Sequence, residues 1–422
     1  MVKLLLISDD FTGALDTGIQ FVQYGAKTKI ITTADAENYL FVKDEVEVLV
    51  IDAQTRHLTG EQAYQKVFKL VKSAIAAGIP HIYKKTDSGL RGNIGSELKA
   101  LLDASEELFL PFIPAYPQMN RITIQGYHYV DGQPIRESVF GKDPFEPVIS
   151  SEVQELFDKS STRIELFEKG SEYYTSFDRP VIGIYDAQTD KDILEITKDL
   201  NEKKQLRIMA GCAGFASALP EFMDFQKQSL RMPELDQSLL VMCGSINPIS
   251  KAQIEYAEAR GFKRIILSPR QQLEKGYLDS KEGRLWLREL EDLFSGNPVV
   301  MLDTGTPESE VVKTYIQEYD MSLHEARERI SLALGEIVKR LLDINYRHSL
   351  MVIGGDTLLG LFNQIGCNEI YPEYELEAGS VLSHINYKDS IIWIISKSGG
   401  FGKEDVIYQL AGKLHIAGGA IC

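Results

Sequence analysis

The feature that most constrains this chain is a repeated alternation of short apolar runs with longer amphipathic runs. Short apolar runs predict strands, and the amphipathic runs between them predict helices. Their regular succession is typical of a mainly parallel sheet flanked by helices. In the first half the predicted strands are residues 3–8, 27–31, 46–52, 81–85, 108–113, 181–185 and 207–210.

A polar stretch separates two halves of the chain. Residues 221–237 are mostly polar, include Pro233 and precede a new apolar run. At 422 residues the chain also exceeds the size at which a single hydrophobic core stops growing. We therefore predict two α/β domains, residues 1–230 and residues 231–422, each built on a mainly parallel sheet flanked by helices.

The second half repeats the alternation of strands and helices. Its clearest predicted helix covers residues 322–342, where Ser322 and Glu325 form a capping-box pattern before apolar residues at helical spacing. The predicted strands of this half are residues 238–243, 264–267, 298–302, 349–353 and 391–396.

One stretch of the first half departs from this pattern. Residues 122–138 alternate in character as an antiparallel strand pair does, and Asp131-Gly132 is a two-residue turn signal. The sequence therefore predicts a β-hairpin inserted in the first domain.

Charge and composition restrict the partners. Lys plus Arg number 45 against 61 Asp plus Glu, and the resulting net charge of −16 repels polyanions such as nucleic acid. No stretch approaches the roughly 20 apolar residues of a membrane span. The four cysteines show neither CxxC pairing nor zinc-site spacing. We therefore expect a soluble cytoplasmic protein with reduced thiols, no nucleic-acid or membrane partner and a small anionic ligand; a homo-oligomer is left open.

Polar loops follow three predicted strands of the first half. They are SDDFTGALD at residues 8–16, DAQTRH at residues 52–57 and KKTDSGLRGN at residues 84–93. Because ligands of open α/β sheets bind outside the carboxyl ends of the strands, these loops predict one binding pocket.

The side chains in these loops suit a polyhydroxylated acid. Arg56 and Lys85 would hold its carboxylate, and Asp9, Asp87 and Ser88 would bond its hydroxyl groups. The alternative is that the Asp and Ser side chains only cap helix N-termini or, for Asp87, that the side chain pairs with Arg91. Three such loops at one sheet edge favour the pocket.

The turns after the strands of the second half are rich in glycine instead. They are GSINP at residues 244–248, GGDT at residues 354–357 and SKSGGFG at residues 396–402. Backbone N–H groups at such turns, together with the positive end of a following helix, bind phosphates. Glycine in a tight strand-to-helix connection is the alternative for any one turn, but three turns favour a nucleotide site.

Several common enzyme motifs do not occur in the sequence. GxxxxGK[ST] and an opening GxGxxG are missing, which argues against a P-loop enzyme and a dinucleotide dehydrogenase. HExxH and GxSxG are missing as well, which argues against the commonest metalloproteases and α/β-hydrolases.

These motifs together resemble those of the four-carbon acid sugar kinase family, long labelled as a domain of unknown function. The resemblance extends over essentially the whole chain, with the motifs in the family's order. The segments that carry it are residues 8–16, 84–93, 114–121, 129–132, 143–144, 211–219, 244–248, 354–357 and 398–402.

The resemblance implies an ATP-dependent kinase acting on threonate, erythronate or oxo-tetronate, with the acid in the first domain and ATP, with Mg²⁺, in the second. The residues implied to contact the acid are Asp9, Arg56, Lys85, Thr86, Asp87 and Ser88. The residues implied or predicted to contact ATP are Ser245, Gly354, Gly355, Asp356, Thr357, Gly399 and Gly400.

The hypothesis for catalysis is that Asp87, or alternatively Asp9, orients and deprotonates the acceptor hydroxyl. Asp87 is favoured because it lies between Lys85 and Arg91, which would keep it ionised. Spacing does not identify metal ligands. Two other functions stay open: a sugar-acid binding or sensor protein without turnover, and a sugar-acid dehydrogenase or dehydratase.

Overall fold

The computed structural model describes most of the chain. The chain forms two compact units, Met1–Leu230 and Arg231–Cys422. Pro144 of the 143–144 motif and Cys422 lie outside the described residues. The described residues are 2–32, 36–41, 45–143, 146–170, 177–226, 230–305, 310–344 and 348–414.

The first unit is built on a parallel sheet. Its strands in the described residues are β1 (Leu4–Ser8), β2 (Thr28–Ile31), β3 (Val48–Asp52), β4 (His81–Lys85), β5 (Phe109–Ile113), β6 (Arg121–Ile124), β7 (Tyr127–Val130), β8 (Gln133–Pro134), β9 (Arg163–Phe167), β10 (Val181–Tyr185) and β11 (Ile208–Gly211). Its α-helices in the same residues are α1 (Phe11–Gln23), α2 (Gly60–Ala76), α3 (Ile94–Ser105), α4 (Asp190–Glu202) and α5 (Ala213–Ala216).

The sheet of the first unit runs in the order β2-β3-β1-β4-β11-β5-β10-β9. Every pair in it is parallel, from β2 with β3 to β10 with β9. All residues of β1, β3 and β5 are buried, because helices cover both faces of a parallel sheet. The predicted parallel architecture is confirmed.

The predicted hairpin is also confirmed and has one strand more than expected. β6 pairs with β7 and β7 with β8, both antiparallel. Asp131 and Gly132, at φ 50° and 79°, form the predicted turn between β7 and β8. A second turn, Gln125 and Gly126 at φ 51° and 75°, joins β6 to β7. This turn was not predicted, because glutamine is an uncommon residue at a positive φ.

The second unit has a mixed sheet. Its strands in the described residues are β12 (Leu239–Cys243), β13 (Lys263–Ile266), β14 (Val299–Asp303), β15 (Ser349–Ile353), β16 (Glu369–Glu377), β17 (Ser380–Tyr387) and β18 (Ser390–Lys397). Its α-helices there are α6 (Pro248–Glu258), α7 (Pro269–Leu273), α8 (Lys281–Phe294), α9 (Glu310–Glu318), α10 (Leu323–Asp343), α11 (Gly355–Ile365) and α12 (Val406–Lys413).

The sheet of the second unit runs β13-β14-β12-β15-β18-β17-β16. The adjacent strands β13, β14, β12, β15 and β18 are parallel to one another. β18, β17 and β16 form an antiparallel meander. β16 and β17 were not predicted. Pro372 interrupts the strand pattern of β16, and the structure accommodates it next to a register irregularity between Pro372 and Tyr374.

Local signals fix the long helices as the sequence predicts. Ser322 and Glu325 form the capping box that begins α10. Thr59 and Gln62 form another at α2. Of the described residues, no helix is long and apolar enough to cross a membrane.

Candidate functional site

The ends of three neighbouring strands bring the polar loops of the first unit together. β1 lies between β3 and β4, and Ser8 aligns with Asp52 on one side and with Lys85 on the other. The loops that begin at Asp9, Ala53 and Thr86 therefore leave the sheet side by side. They build a charged cluster, which we define as Asp9, Asp10, Arg56, Lys85, Asp87 and Arg91.

Arg56 holds the charged cluster together. Its Nε donates to Asp9 Oδ2 at 2.8 Å and its Nη1 to Asp10 Oδ2 at 2.8 Å. Its Nη2 lies 2.7 Å from Asp9 Oδ2 and 3.8 Å from Asp87 Oδ1. The guanidinium that the sequence assigns to a substrate carboxylate thus already binds two carboxylates of the chain.

Lys85 is the second buried cation of the charged cluster, and its contacts are looser. Its Nζ lies 3.9 Å from Asp9 Oδ1 and 4.0 Å from Asp10 Oδ1, which is beyond hydrogen-bonding distance. A Cβ added to Gly13 would lie 2.2 Å from this Nζ, so only glycine at that position of α1 leaves room for the ammonium.

The carboxylates beside these cations are held in the ionised form. Burial opposes the ionisation of Asp9, but the charges of Arg56 and Lys85 outweigh it and lower the pKa. Burial likewise opposes the ionisation of Asp87, and the charges of Arg91 and Arg56 hold its pKa well below the ordinary value. Both carboxylates are therefore hydrogen-bond acceptors at neutral pH.

Asp87 is bound to Arg91 through both oxygens. Arg91 Nε donates to Asp87 Oδ2 at 2.7 Å, and Arg91 Nη2 donates to Asp87 Oδ1 at 3.4 Å. Arg91 Nη1 also donates to Asp143 at 3.0 Å. The alternative that Asp87 caps α3 does not hold, because the N-cap residue of α3 is Asn93, whose side chain makes no capping hydrogen bond. Asp10 is the cap of α1, accepting from Gly13 N at 2.9 Å.

The inserted hairpin supports the loop that carries Thr86, Asp87 and Ser88. Arg121 Nη1 donates to Ser88 Oγ, and His128 Nε2 lies 3.2 Å from the Ser88 carbonyl oxygen. Burial lowers the pKa of His128 to about 4, so its ring is neutral at pH 7. Neither residue was predicted to have a role, because pairing of a distant hairpin with this loop has no local sequence signal.

Phe140 lies against the same loop. Its ring stacks under the guanidinium groups of Arg121, at 4.9 Å, and Arg91, at 5.2 Å. A Cβ on Gly89 would lie 2.4 Å from this ring and 3.0 Å from Asp87 Oδ2. Gly89 is therefore the residue that allows the ring and the carboxylate to approach each other.

Several polar atoms at this sheet edge are buried and accept no hydrogen bond from the residues described. They are Asp9 Oδ1, Asp52 Oδ2, Thr55 Oγ1 and Thr86 Oγ1. An unpaired buried polar group costs roughly 1–3 kcal/mol, so native proteins seldom collect several without a polar ligand or water to complete them. Asp52 was missed by the sequence analysis as a site residue. Burial, and then the charge of Asp10, raises its pKa to about 7.

The glycine turns of the second unit also start from aligned strand ends. Cys243, Ile353 and Lys397 share one register position across β12, β15 and β18. The turns after them, which we call the glycine turns, are residues 244–248, 354–357 and 398–402. The N–H of Gly354 donates to the carbonyl oxygen of Lys397 at 3.0 Å, which ties the second glycine turn to the residue just before the third.

Glycine is required in these turns by close contacts. A Cβ on Gly244 would lie 2.2 Å from Thr357 Oγ1, and one on Gly399 would lie 2.5 Å from Ser245 Oγ. Gly354 has φ 108°, a conformation that side-chain-bearing residues rarely adopt. Gly400 is less crowded, with Asn247 Nδ2 3.4 Å from an added Cβ.

The helix N-termini behind the glycine turns differ in what they offer a phosphate. α11 begins at Gly355, and its N-cap Gly354 has no side chain to satisfy the first N–H groups. Asp356 in that first turn is bound by Arg327 at 2.6 Å.

Ser245 Oγ lies 3.1 Å from Ser250 Oγ, which donates to the Gly399 carbonyl oxygen at 2.7 Å. In the described residues no group of three or more His, Cys, Asp or Glu is arranged to hold a metal ion.

Two family models match the chain, one for each unit. Residues 4–219 match a family described as a sugar-binding N-terminal domain, and residues 240–407 match one described as a nucleotide-binding C-terminal domain. The chain belongs to the four-carbon acid sugar kinase family. The resemblance found in the motifs is thereby confirmed.

Two of the following three relatives match nearly the whole chain, and the third matches 38% of it. A D-threonate kinase of Salmonella typhimurium is 26% identical over 421 residues, which are 96% of this chain and 97% of the relative. A 3-oxo-tetronate kinase of Pseudomonas fluorescens is 25% identical over 98% of this chain and 97% of its own. A 3-oxo-tetronate kinase of Escherichia coli is 32% identical over 38% of this chain and 42% of its own.

Two solved structures share the fold. A Salmonella typhimurium LT2 protein, named as a candidate tRNA synthase, has a TM-score of 0.77 at 19% identity, over 97% of this chain and 99% of its own. A Haemophilus influenzae protein from a family of unknown function has a TM-score of 0.70 at 18% identity, over 97% of this chain and 100% of its own. At these identities the likeness shows the fold alone.

Proposed function

We propose that this chain is an ATP-dependent kinase that phosphorylates a hydroxyl group of a four-carbon sugar acid. The observation that carries the proposal is the set of buried polar atoms without a hydrogen bond at the sheet edge where Lys85 lies, one of which, Asp9 Oδ1, is 3.9 Å from the Lys85 ammonium. A small acid with several hydroxyl groups matches that set in charge and in hydrogen-bonding capacity. Relatives named for threonate, erythronate and 3-oxo-tetronate support the same substrate class.

Lys85 is the cation best suited to the substrate carboxylate. Its ammonium is buried and makes no hydrogen bond of 3.5 Å or less with the residues described, so its donors are available. Arg56 would contribute a further N–H, since three of its five donors are used by Asp9 and Asp10. Thr86 and Ser88 would bond the hydroxyl groups.

Asp9 is the better supported of the two proposed bases. Its Oδ1 accepts no hydrogen bond from the described part of the chain, whereas both oxygens of Asp87 are bound by Arg91. Phosphoryl transfer passes through a loose transition state that needs an oriented hydroxyl more than a strong base. An ionised Asp9 would accept the hydroxyl proton and point the oxygen for attack, while Asp87 would position Arg91 and the loop.

The glycine turns of the second unit fit a nucleotide polyphosphate. Side chains are missing at Gly244, Gly354 and Gly399, where a Cβ would clash or strain the backbone, so backbone N–H groups can approach a phosphate closely. Ser245, Thr357 and Gly400 complete the proposed contacts. When bound, ATP with Mg²⁺ would supply the phosphoryl group and neutralise part of its charge.

The test is ADP release by the full-length chain with ATP and Mg²⁺ against a panel of acids. We expect ADP formation with at least one of threonate, erythronate and 3-oxo-tetronate. A four-carbon polyol serves as the control, because it keeps the hydroxyl groups but lacks the carboxylate that Lys85 would bind. We expect no release with the polyol.

Two other results would replace the proposal. Binding of an acid in calorimetry without ADP release would identify a binding or sensor protein. Reduction of a nicotinamide cofactor on addition of the acid, again without ADP release, would identify a dehydrogenase.

A further inference from the structure

Lys397 is a buried lysine at the C-terminal end of β18. The residue is only 2% exposed, and its Nζ donates to the Ser398 carbonyl oxygen at 2.9 Å. In the described part of the chain no carboxylate forms an ion pair with it. Two other buried lysines differ in this respect, because Lys84 pairs with Glu97 at 3.1 Å and Lys251 pairs with Asp303 at 2.5 Å.

A buried ammonium without a counter-charge destabilises a fold. Burial lowers the pKa of Lys397 to about 8, which still leaves the group protonated at neutral pH. The residues paired with Lys397 on the adjacent strands carry no charge, since they are Ile353 of β15, in the apolar core, and Ser380 of β17. The charge therefore calls for a ligand that is itself negative.

Lys397 stands where all three glycine turns meet. Its carbonyl oxygen accepts from Gly354, and its ammonium contacts the turn that begins at Ser398. Cys243 of β12 aligns with Ile353 of β15, which in turn aligns with Lys397, and the glycine turn that begins at Gly244 follows Cys243 directly. Side chains of α6 fix this arrangement, because Ser250 donates to Gly399 and Gln253 to the carbonyl oxygens of residues 401–403.

We propose that Lys397 is a phosphate-binding residue, whose ammonium neutralises the polyphosphate of a nucleotide bound on the three glycine turns. The inference rests on the proposed nucleotide-binding function of the second unit. It adds the positive charge that backbone N–H groups alone do not provide. A lysine serves phosphates in this way as a point charge, without the paired geometry that arginine requires.

The test compares Lys397→Met with Lys403→Met in the full-length chain. Methionine matches the length of the lysine stem and suits the apolar surroundings of Lys397. Lys403 is exposed on the same loop, so its removal subtracts an equal charge without emptying the buried position. Binding of MgATP, inorganic triphosphate and adenosine is measured by titration calorimetry, and thermal unfolding is measured without ligand.

Lys397→Met should weaken MgATP and triphosphate binding roughly 10- to 100-fold, as expected for loss of a charge-assisted contact. Adenosine affinity should not change. Lys403→Met should alter MgATP affinity less than about twofold. The melting temperature of unliganded Lys397→Met should equal or exceed that of the wild type, because the variant removes an unpaired buried charge.

Unchanged MgATP affinity in Lys397→Met, with a wild type that binds, overturns the inference and leaves the proposed function intact. The inference is also overturned if Lys397→Met loses adenosine binding to the same extent, or if Lys403→Met loses as much MgATP affinity. It is overturned as well if unliganded Lys397→Met melts at a lower temperature than the wild type or does not fold. A wild type that does not bind MgATP overturns the proposed nucleotide site itself.

Discussion

Replacing Asp9 by asparagine tests which carboxylate accepts the hydroxyl proton of the substrate. Asparagine keeps the size of the side chain and an oxygen that can accept from Arg56. It removes the negative charge, and its amide group can no longer take up a proton. Removal of a positioned base typically lowers the rate by roughly 10²- to 10⁴-fold, and we expect a loss of turnover in that range.

The effect of Asp9→Asn on folding should be smaller. Arg56 keeps its contact with Asp10 at 2.8 Å, so the buried guanidinium is not left without a counter-charge. Two N–H groups of Arg56 contact Asp9, and the asparagine oxygen can still accept from them, so we expect a loss in unfolding free energy near the roughly 1.5–3 kcal/mol of a single hydrogen bond to a charged group. The assay is ADP release at saturating ATP and acid, with circular dichroism and MgATP binding as checks that the variant is folded.

Asp10→Asn is the matched control, because Asp10 also gives one oxygen to Arg56 but its side chain is 27% exposed and caps α1. Asparagine caps a helix as well as aspartate does, so turnover should fall less than about tenfold. An Asp9→Asn variant that keeps most of its turnover, beside an inactive Asp87→Asn variant, would refute the reasoning from hydrogen bonds. It would move the base to Asp87, as the sequence analysis favoured.

Three further predictions concern other residues. Arg56→Lys should raise the Michaelis constant for the acid far more than that for ATP, because lysine cannot reproduce the forked contacts with Asp9; equal effects on both constants would contradict this. Gly400→Val should weaken ATP binding in calorimetry and leave acid binding intact, whereas Gly296→Val, in open space, should change neither. Burial raises the pKa of Asp52 to about 7 in the folded chain, whereas the unfolded chain releases this proton near pH 4. Between these two pH values only the folded chain holds the proton, so the contribution of Asp52 to stability falls as the pH rises from about 4 to 7. Asp52→Asn should therefore raise the free energy of unfolding at pH 8, by at most about 4 kcal/mol, and leave it nearly unchanged at pH 4; parallel urea-unfolding results for both proteins at the two pH values would argue against a neutral Asp52.

Local pattern was enough to predict the parallel strands of both units except β9, which no predicted strand covers. The apolar runs of β10 and β15 coincide with the predicted strands at both ends, because a strand buried on both faces is mostly apolar. The capping box at Ser322 likewise fixes the start of α10 within a few residues of sequence. The meander of β16 and β17 could not be predicted in this way, since Pro372 weakens the strand pattern and the pairing depends on distant partners.

The sequence by itself also determined which residues reach the strand ends, and so the identity of the polar loops and the glycine turns. Only the tertiary structure decided how their charges are shared. Arg56 and Asp9 are 47 positions apart, and their contact at 2.8 Å follows from the neighbouring positions of β1 and β3 in the sheet. The sequence also did not show that Asp52 Oδ2 has no hydrogen bond, or that the Lys397 ammonium has no carboxylate in an ion pair with it, in the described residues. Both facts depend on burial and on packing among distant segments.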